Sequence, residues 1–251
     1  MSERKTALVT GASRGIGRAI AAHLAEAGLR IAVHYNVNQT AAAKTWAGLA
    51  GSSHVVINAD LSTPGGVEQL AQEALEVFGG RVDVLVHNAG IYEPSPVLQT
   101  PTLGEWRAAL RRQMQVNFWA GADLAYLLAP AMAQAGWGKI ILVSSRAGIR
   151  GEARHAGYAA SKAAGINFVK SLAMELGPQG IGCYGVAPGW AETDMAAEAL
   201  AARGDSIRAA IPLGRVASPD DVAALVAFLA SPAADYLTGN TIDVNGASYL
   251  H

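Results

Sequence analysis

One cysteine in 251 residues leaves no partner for an internal disulfide, which excludes a small scaffold held by cross-links. That residue, Cys183, sits in an apolar run and reads as a small buried hydrophobe. Charge is also scarce. The 19 Lys and Arg against 20 Asp and Glu leave a net charge of −1, with no basic run, so neither nucleic acid nor a membrane surface is an expected partner. Apolar stretches such as Leu124 to Met132 and Val222 to Ala230 are short and bounded by charge or proline, well below a bilayer span. Met1-Ser2-Glu3-Arg4-Lys5 enters a strand pattern at once, without the apolar core of a secretory leader, and the expected location is the cytoplasm. No low-complexity tract or linker divides the chain, so one domain over 1–251 is expected.

What is present is alternation. Strand-like apolar runs occur at Thr6 to Thr10, Arg30 to His34, His54 to Asn58, Val82 to His87, Lys139 to Ser144, Gly182 to Ala187 and Thr241 to Val244. Longer helical patterns separate them, including Ile16 to Ala27 and one long segment from Glu105 to Gln134. Continuous apolar strands alternating with helices imply βαβ crossovers. The expected fold is α/β: a single-domain, Rossmann-type, doubly wound parallel sheet with helices on both faces.

Two patterns carry chemistry. After the first strand the chain reads Thr10-Gly11-Ala12-Ser13-Arg14-Gly15-Ile16-Gly17. Glycines there permit positive φ and close approach of backbone to ligand, while the following helix offers free N–H groups to a pyrophosphate. Alone, this is also an ordinary glycine-rich βα turn. Farther on, Tyr158 and Lys162 lie four residues apart on a predicted helix, hence on one face, where an ammonium can favour ionisation of the phenol. A tyrosine so placed becomes a plausible acid or base near neutral pH. Alone, the pair is equally a half-buried ring beside a solvated amine.

Taken together, and in order along the chain, these patterns resemble the short-chain dehydrogenase/reductase family, in its non-extended branch. The matching pieces are the T-G-x3-G-x-G turn, Asp60 after the third strand, His87-Asn88-Ala89-Gly90 where the family has N-N-A-G, Asn117, Ser145, the Y-x3-K pair, and Pro188-Gly189 with Thr193. The resemblance runs from Thr6 to about Gly246. It implies an NAD(P)-dependent enzyme that interconverts a carbonyl and a secondary alcohol. In it Tyr158 acts as general acid and base, Ser145 steadies the substrate oxygen, Lys162 binds the nicotinamide ribose and lowers the Tyr158 pKa, and Asn117 holds a water that relays protons toward Lys162. Ser144 competes with Ser145, and the thirteen-residue offset to Tyr158 selects Ser145.

Cofactor contacts are expected from Gly11, Ser13, Arg14, Gly15, Ile16 and Gly17, from Tyr35 and Asn36 after the second strand, and from Asp60 and Leu61 at the adenine edge. Asn88, Ala89 and Gly90 would border the adenosine ribose, and Pro188, Gly189 and Thr193 the nicotinamide end. Asp60 also reads as a cap for the next helix. His34-Tyr35-Asn36-Val37-Asn38 has no carboxylate to hold a ribose 2′-hydroxyl, and Arg14 offers a planar fork to a 2′-phosphate, so NADP(H) is favoured, with NAD(H) possible. No metal ligand set is expected.

Spacing separates the chain from bacterial-type enoyl reductases of this fold, whose Tyr and Lys stand seven apart. A 3-oxoacyl carrier-protein reductase is an open alternative on Arg14 and the Pro188 to Met195 segment, although Ile91-Tyr92-Glu93-Pro94-Ser95 departs from that group. From a different class, a dinucleotide-sensing regulator without turnover is the other alternative, and the intact Asn-Ser-Tyr-Lys set argues against it. Arg146, Arg150, Arg154 and His155 invite an anionic substrate, though loop arginines are often simply solvated. The resemblance further implies a homotetramer or dimer.

Overall fold

The structure, a computed structural model, describes residues 4–250; Met1 to Glu3 and His251, which the single-domain expectation included, lie outside the described residues. Seven strands form one sheet: β1 (Thr6–Val9), β2 (Arg30–Tyr35), β3 (Val55–Asn58), β4 (Val84–His87), β5 (Gly138–Val143), β6 (Ile181–Pro188) and β7 (Thr241–Val244). Every neighbouring pair is parallel, in the order β3-β2-β1-β4-β5-β6-β7, as the βαβ pattern requires. The order reverses between β1 and β4, and ligands in such sheets bind at that switch point, beyond the carboxyl ends of the strands.

Helices α1 (Gly15–Glu26), α2 (Gln39–Ala47), α3 (Pro64–Val77), α4 (Leu103–Met114) and α5 (Ala120–Gln134) precede β5. The short α6 (Ala147–Arg150), the long α7 (Ala156–Leu176), α8 (Ala197–Ala209) and α9 (Pro219–Leu229) follow it. Successive strand residues point to opposite faces, so Ala7 and Val9 join Ile20, Leu24 and Val226 on one side of the sheet. Leu8 packs with Leu70, Leu124 and Val169 on the other. Cys183 is buried in that second core, and burial pushes its thiol up to about 12, an inert role. Among the described residues no helix is long and apolar enough to cross a membrane.

The amino-terminal ends of the strands are tied by buried polar contacts. Asp83 accepts from Thr6 N at 2.8 Å and from Thr6 Oγ1 at 3.1 Å, and pairs with Arg81 at 2.8 Å. Lys139, 1% exposed, donates to Tyr184 Oη and to Asp235. The single helix expected over Glu105 to Gln134 is instead two helices joined by a π-turn, Gln115–Trp119. Its cause is lateral. The His87 ring packs so closely that a Cβ on Gly121 would come within 2.6 Å of it, and His87 Nε2 meets the Val116 carbonyl at 3.1 Å. An extra residue in the turn accommodates both contacts.

Candidate active site

A cleft of about 590 Å³ opens over the carboxyl ends of the strands, a volume that suits a small-molecule site. It is lined by the glycine turn, the ends of β2 and β3, Asn88 to Tyr92, the end of β5, Tyr158, Lys162, and the segment from Pro188 to Ala196. All expected site residues are thus gathered on one rim, with Asn117 just behind it.

The glycine turn is shaped for a ligand. Gly11 has φ +64 and Gly15 φ +53, so both occupy the left-handed region. A Cβ on Gly17 would fall 2.3 Å from Gly11 O and 2.5 Å from Asn88 Nδ2, so that position admits glycine alone. The start of α1 has no side-chain cap and no acidic residue in its first turn, leaving N–H groups and a positive dipole end facing the cleft. These observations fit a dinucleotide pyrophosphate. Asn88 donates to Thr10 O at 3.0 Å and to Gly11 O at 3.2 Å, fastening the turn to β4.

Two buried histidines lock the same turn, and their tautomers follow from their partners. Thr10 Oγ1 accepts from Asn88 N and Ala89 N, both at 3.0 Å, so its own proton goes to His87 Nδ1 at 3.1 Å. His87 Nε2–H then donates to Val116 O. His34 Nδ1 accepts from Gly11 N at 3.0 Å, and its Nε2–H donates to Ala59 O at 3.1 Å. Both rings are neutral: burial lowers His34 to about 4 and His87 to about 3, with Lys162 adding to the His87 shift. Because folded values lie below the unfolded one, their stability contribution is whole above about pH 6.5 and is lost as pH falls through about 4 and then about 3. Melting temperature should therefore drop steeply between pH 6.5 and 4, at a cost on the order of 3 kcal/mol for His34. His87→Asn, which restores the family residue, should make the drop shallower, and a flat profile for the unaltered protein would show that the rings are not locked in this way.

Asp60 does not cap α3; Thr63 does, accepting from Gly66 N at 3.1 Å. The Asp60 carboxylate accepts from Ser62 N at 2.9 Å, which lowers its pKa, and reaches Asn36 at 3.4 Å. Leu61 is buried beside it. Arg14, at the opposite lip, pairs with Asp194 at 3.1 Å, both side chains well exposed.

At the far end, Ser145 and Tyr158 line the cleft together, and Ser145 Oγ accepts from Ala147 N at 3.1 Å. Ser144 is turned away, its Oγ donating to Lys162 O at 2.7 Å. Lys162 Nζ lies 5.8 Å from the Tyr158 ring centroid and donates to Val143 O at 2.8 Å. Burial lowers Lys162 to about 8. From the sequence, Lys162 is expected to lower the Tyr158 pKa; the direction in this structure is upward. Burial pushes the phenol up to about 12, outweighing the lowering influence of the neighbouring Ser145 side chain, while Tyr92 and Glu152 add to the rise. Tyr158 is half-buried and lines the cleft.

Asn117 is buried and held from three sides. Both amide N–H groups are spent, on Ile91 O and Ser161 Oγ at 3.0 Å each, and Oδ1 accepts from Ile91 N at 2.8 Å. The side chain therefore clamps the segment after Gly90, which leaves only the second lone pair of Oδ1 to a water. Sequence reasoning missed Tyr92, whose ring meets Tyr158 edge-on at 4.8 Å and stacks on His155 at 4.0 Å. It also missed Ser161 and His34. A polar residue inside an apolar strand was a usable signal for His34; nothing in the local pattern marks the other two.

A parallel sheet with this glycine turn at its switch point and this Ser-Tyr-Lys cluster on the same rim defines a dinucleotide-dependent oxidoreductase. The chain belongs to the short-chain dehydrogenase/reductase family, whose members act on CH–OH groups with NAD(P). The family model that matches, described as Enoyl-(Acyl carrier protein) reductase, covers residues 11–247. The chain is 37% identical over 248 residues to the 3-oxoacyl-[acyl-carrier-protein] reductase of Vibrio cholerae, spanning 99% of this chain and 98% of that protein. It is likewise 37% identical over 249 residues to the enzyme of the same name from Synechocystis, spanning 98% of this chain and 97% of that one. Among solved structures, a candidate NAD(P)-dependent gluconate 5-dehydrogenase from Beutenbergia cavernae with bound NADP superposes with a TM-score of 0.88 at 36% identity, covering 97% of this chain and 96% of that one. A glucose/ribitol dehydrogenase of this family from Brucella melitensis gives 0.89 at 33% identity, over 99% and 98%.

Proposed function

We propose that this protein is an NADPH-dependent carbonyl reductase in which Tyr158 delivers the proton, Ser145 steadies the substrate oxygen, and Lys162 with the glycine turn holds the dinucleotide. The observation that carries this reading is the convergence of Ser145, Tyr158 and Lys162 on the lining of the same cleft as the glycine turn. A carbonyl oxygen placed between the Ser145 and Tyr158 hydroxyls meets two donors. When bound, the reduced nicotinamide supplies a hydride to the carbonyl carbon. Charge then grows on the oxygen, Ser145 stabilises it, and the Tyr158 proton passes to it. A phenol raised to about 12 keeps that proton across the neutral range, which suits the reducing direction. Gly90 lies between Asn117 and Lys162: a Cβ there would come 3.3 Å from Asn117 Oδ1 and 3.5 Å from Lys162 Nζ.

NADPH over NADH is supported by three things: the absence of a carboxylate on Tyr35 to Asn38, the position of Arg14 on the cleft lip, and the NADP in a structural relative. The Arg14–Asp194 pair is exposed and weak, on the order of 0–1 kcal/mol, so a 2′-phosphate can take its place. Tyr35→Asp should move the NADPH-to-NADH ratio of kcat/KM toward NADH by about tenfold or more, through repulsion of the phosphate. An unchanged ratio would place the 2′-phosphate elsewhere.

A second reading, 3-oxoacyl carrier-protein reduction, is favoured by the 37% identical relatives. Enoyl reduction, the chemistry in the family model's description, is not adopted, because Tyr158 and Lys162 stand four apart and the curated relatives named above reduce 3-oxo groups. Loss of nicotinamide absorbance, with NADPH and with NADH, against ketones, sugars, keto acids and 3-oxoacyl thioesters tests all of these. Turnover of a carbonyl establishes the reductase. Cofactor binding without any turnover would favour the dinucleotide-sensing alternative.

A further inference from the structure

Four basic side chains follow Ser145 between β5 and α7, and only one of them, Arg146, lines the cleft. Arg150 pairs with Glu152 at 3.4 Å, Arg154 is exposed in the left-handed region at φ +66, and His155 is stacked on Tyr92. Arg146 is 7% exposed yet lines the cleft. Among the described residues no carboxylate comes within 4.0 Å of its guanidinium, and its side-chain hydrogen bond goes to a neutral group, Ser248 Oγ. Its backbone N donates to Pro188 O at 3.0 Å, which seats it where β5, β6 and the segment after β7 meet, one residue beyond Ser145.

A guanidinium carries five N–H donors in a planar fork, and a buried charge without a counter-ion is costly. Burial and Arg150 both press the Arg146 pKa down, with Glu152 opposing them, so the charge is held against its surroundings. An acceptor with two oxygens in one plane would relieve it. We propose that Arg146 is the carboxylate anchor of the substrate site, and that the compound reduced here is a keto acid in place of a neutral ketone. The inference rests on the carbonyl-reductase reading and sharpens it. A 3-oxoacyl thioester is esterified at the position a carboxylate would occupy, so this anchor sets the chain apart from its carrier-protein relatives.

The test compares 3-oxobutanoate, 4-oxopentanoate and 5-oxohexanoate, each against its methyl ester, at saturating NADPH. We expect the acid to be preferred in at least one pair, and the acid-to-ester ratio of kcat/KM to fall roughly 10- to 100-fold in Arg146→Met. Arg146→Lys should recover part of it, keeping the charge and losing the fork. Removing an uncompensated buried charge should also leave the melting temperature of Arg146→Met at or above that of the unaltered protein, which a purely structural arginine would not do. A ratio unmoved by Arg146→Met overturns the proposal, as does an ester equal to its acid in every pair. Should Arg146→Met not fold, Arg146→Lys carries the same comparison. If no probe is reduced, the reductase reading fails for these compounds, and calorimetric titration of 5-oxohexanoate decides Arg146 alone: binding lost in the variant supports the anchor, and equal or absent binding overturns it.

Discussion

Tyr158→Phe is expected to cut turnover by about a hundred- to ten-thousand-fold while NADPH affinity stays within about threefold. The substitution keeps the ring, and with it the edge-on contact to Tyr92 at 4.8 Å, and removes only the hydroxyl neighbouring Ser145. Single-turnover rates with the best substrate, beside fluorescence titration of NADPH, give both quantities. A variant that still reduces its substrate at a tenth of the normal rate or faster would remove Tyr158 from the chemistry. Ser145→Ala should show a smaller loss in the same assay, since one of two donors to the oxygen remains.

Gly17→Ala is expected to do the converse, weakening NADPH binding by roughly a hundredfold or more. A methyl at that position lands 2.3 Å from the Gly11 carbonyl oxygen, a contact no rotamer can relieve, so the turn must open and carry Asn88 with it. Gly65→Ala is the control: a Cβ there meets nothing within 4 Å, and the residue lies in the first turn of α3. Unaltered affinity in Gly17→Ala would mean that the dinucleotide does not rest on this turn. The two substitutions together distinguish a protein that binds cofactor without chemistry from one that cannot bind it.

Much of this arrangement was legible because buried parallel strands must be apolar on both faces. All seven strands fall within a residue or two of the apolar runs, and each end that carries a functional motif faces the cleft. The break at Gln115–Trp119 was not legible, since it answers to the bulk of His87, a residue 28 positions earlier in the chain. The tyrosine pKa escaped for a related reason. Helical spacing places Lys162 below the ring, but whether a phenol titrates low or high depends on how much protein encloses its oxygen, and that is decided by Tyr92, Glu152 and the packing around them. Arg146, one of four basic residues in a loop, could be singled out only after burial and pairing were known.

The contacts that tie the amino-terminal edge of the sheet, Asp83 with Thr6 and Arg81, and Lys139 with Tyr184 and Asp235, share no residue with the opposite rim. The lower edge therefore contributes to stability without contributing a residue to selectivity, whereas His34 and Arg146 on the rim bear on both. In a mutational library, changes at Tyr92, Arg146 or Trp190, the last in the cleft-lining segment after β6, can explore new substrates while the lower edge acts as a fixed foundation. Changes around Asp83 or Lys139 can raise or lower heat tolerance without retuning what the enzyme accepts. The chain is thus open to improvement along two axes at once.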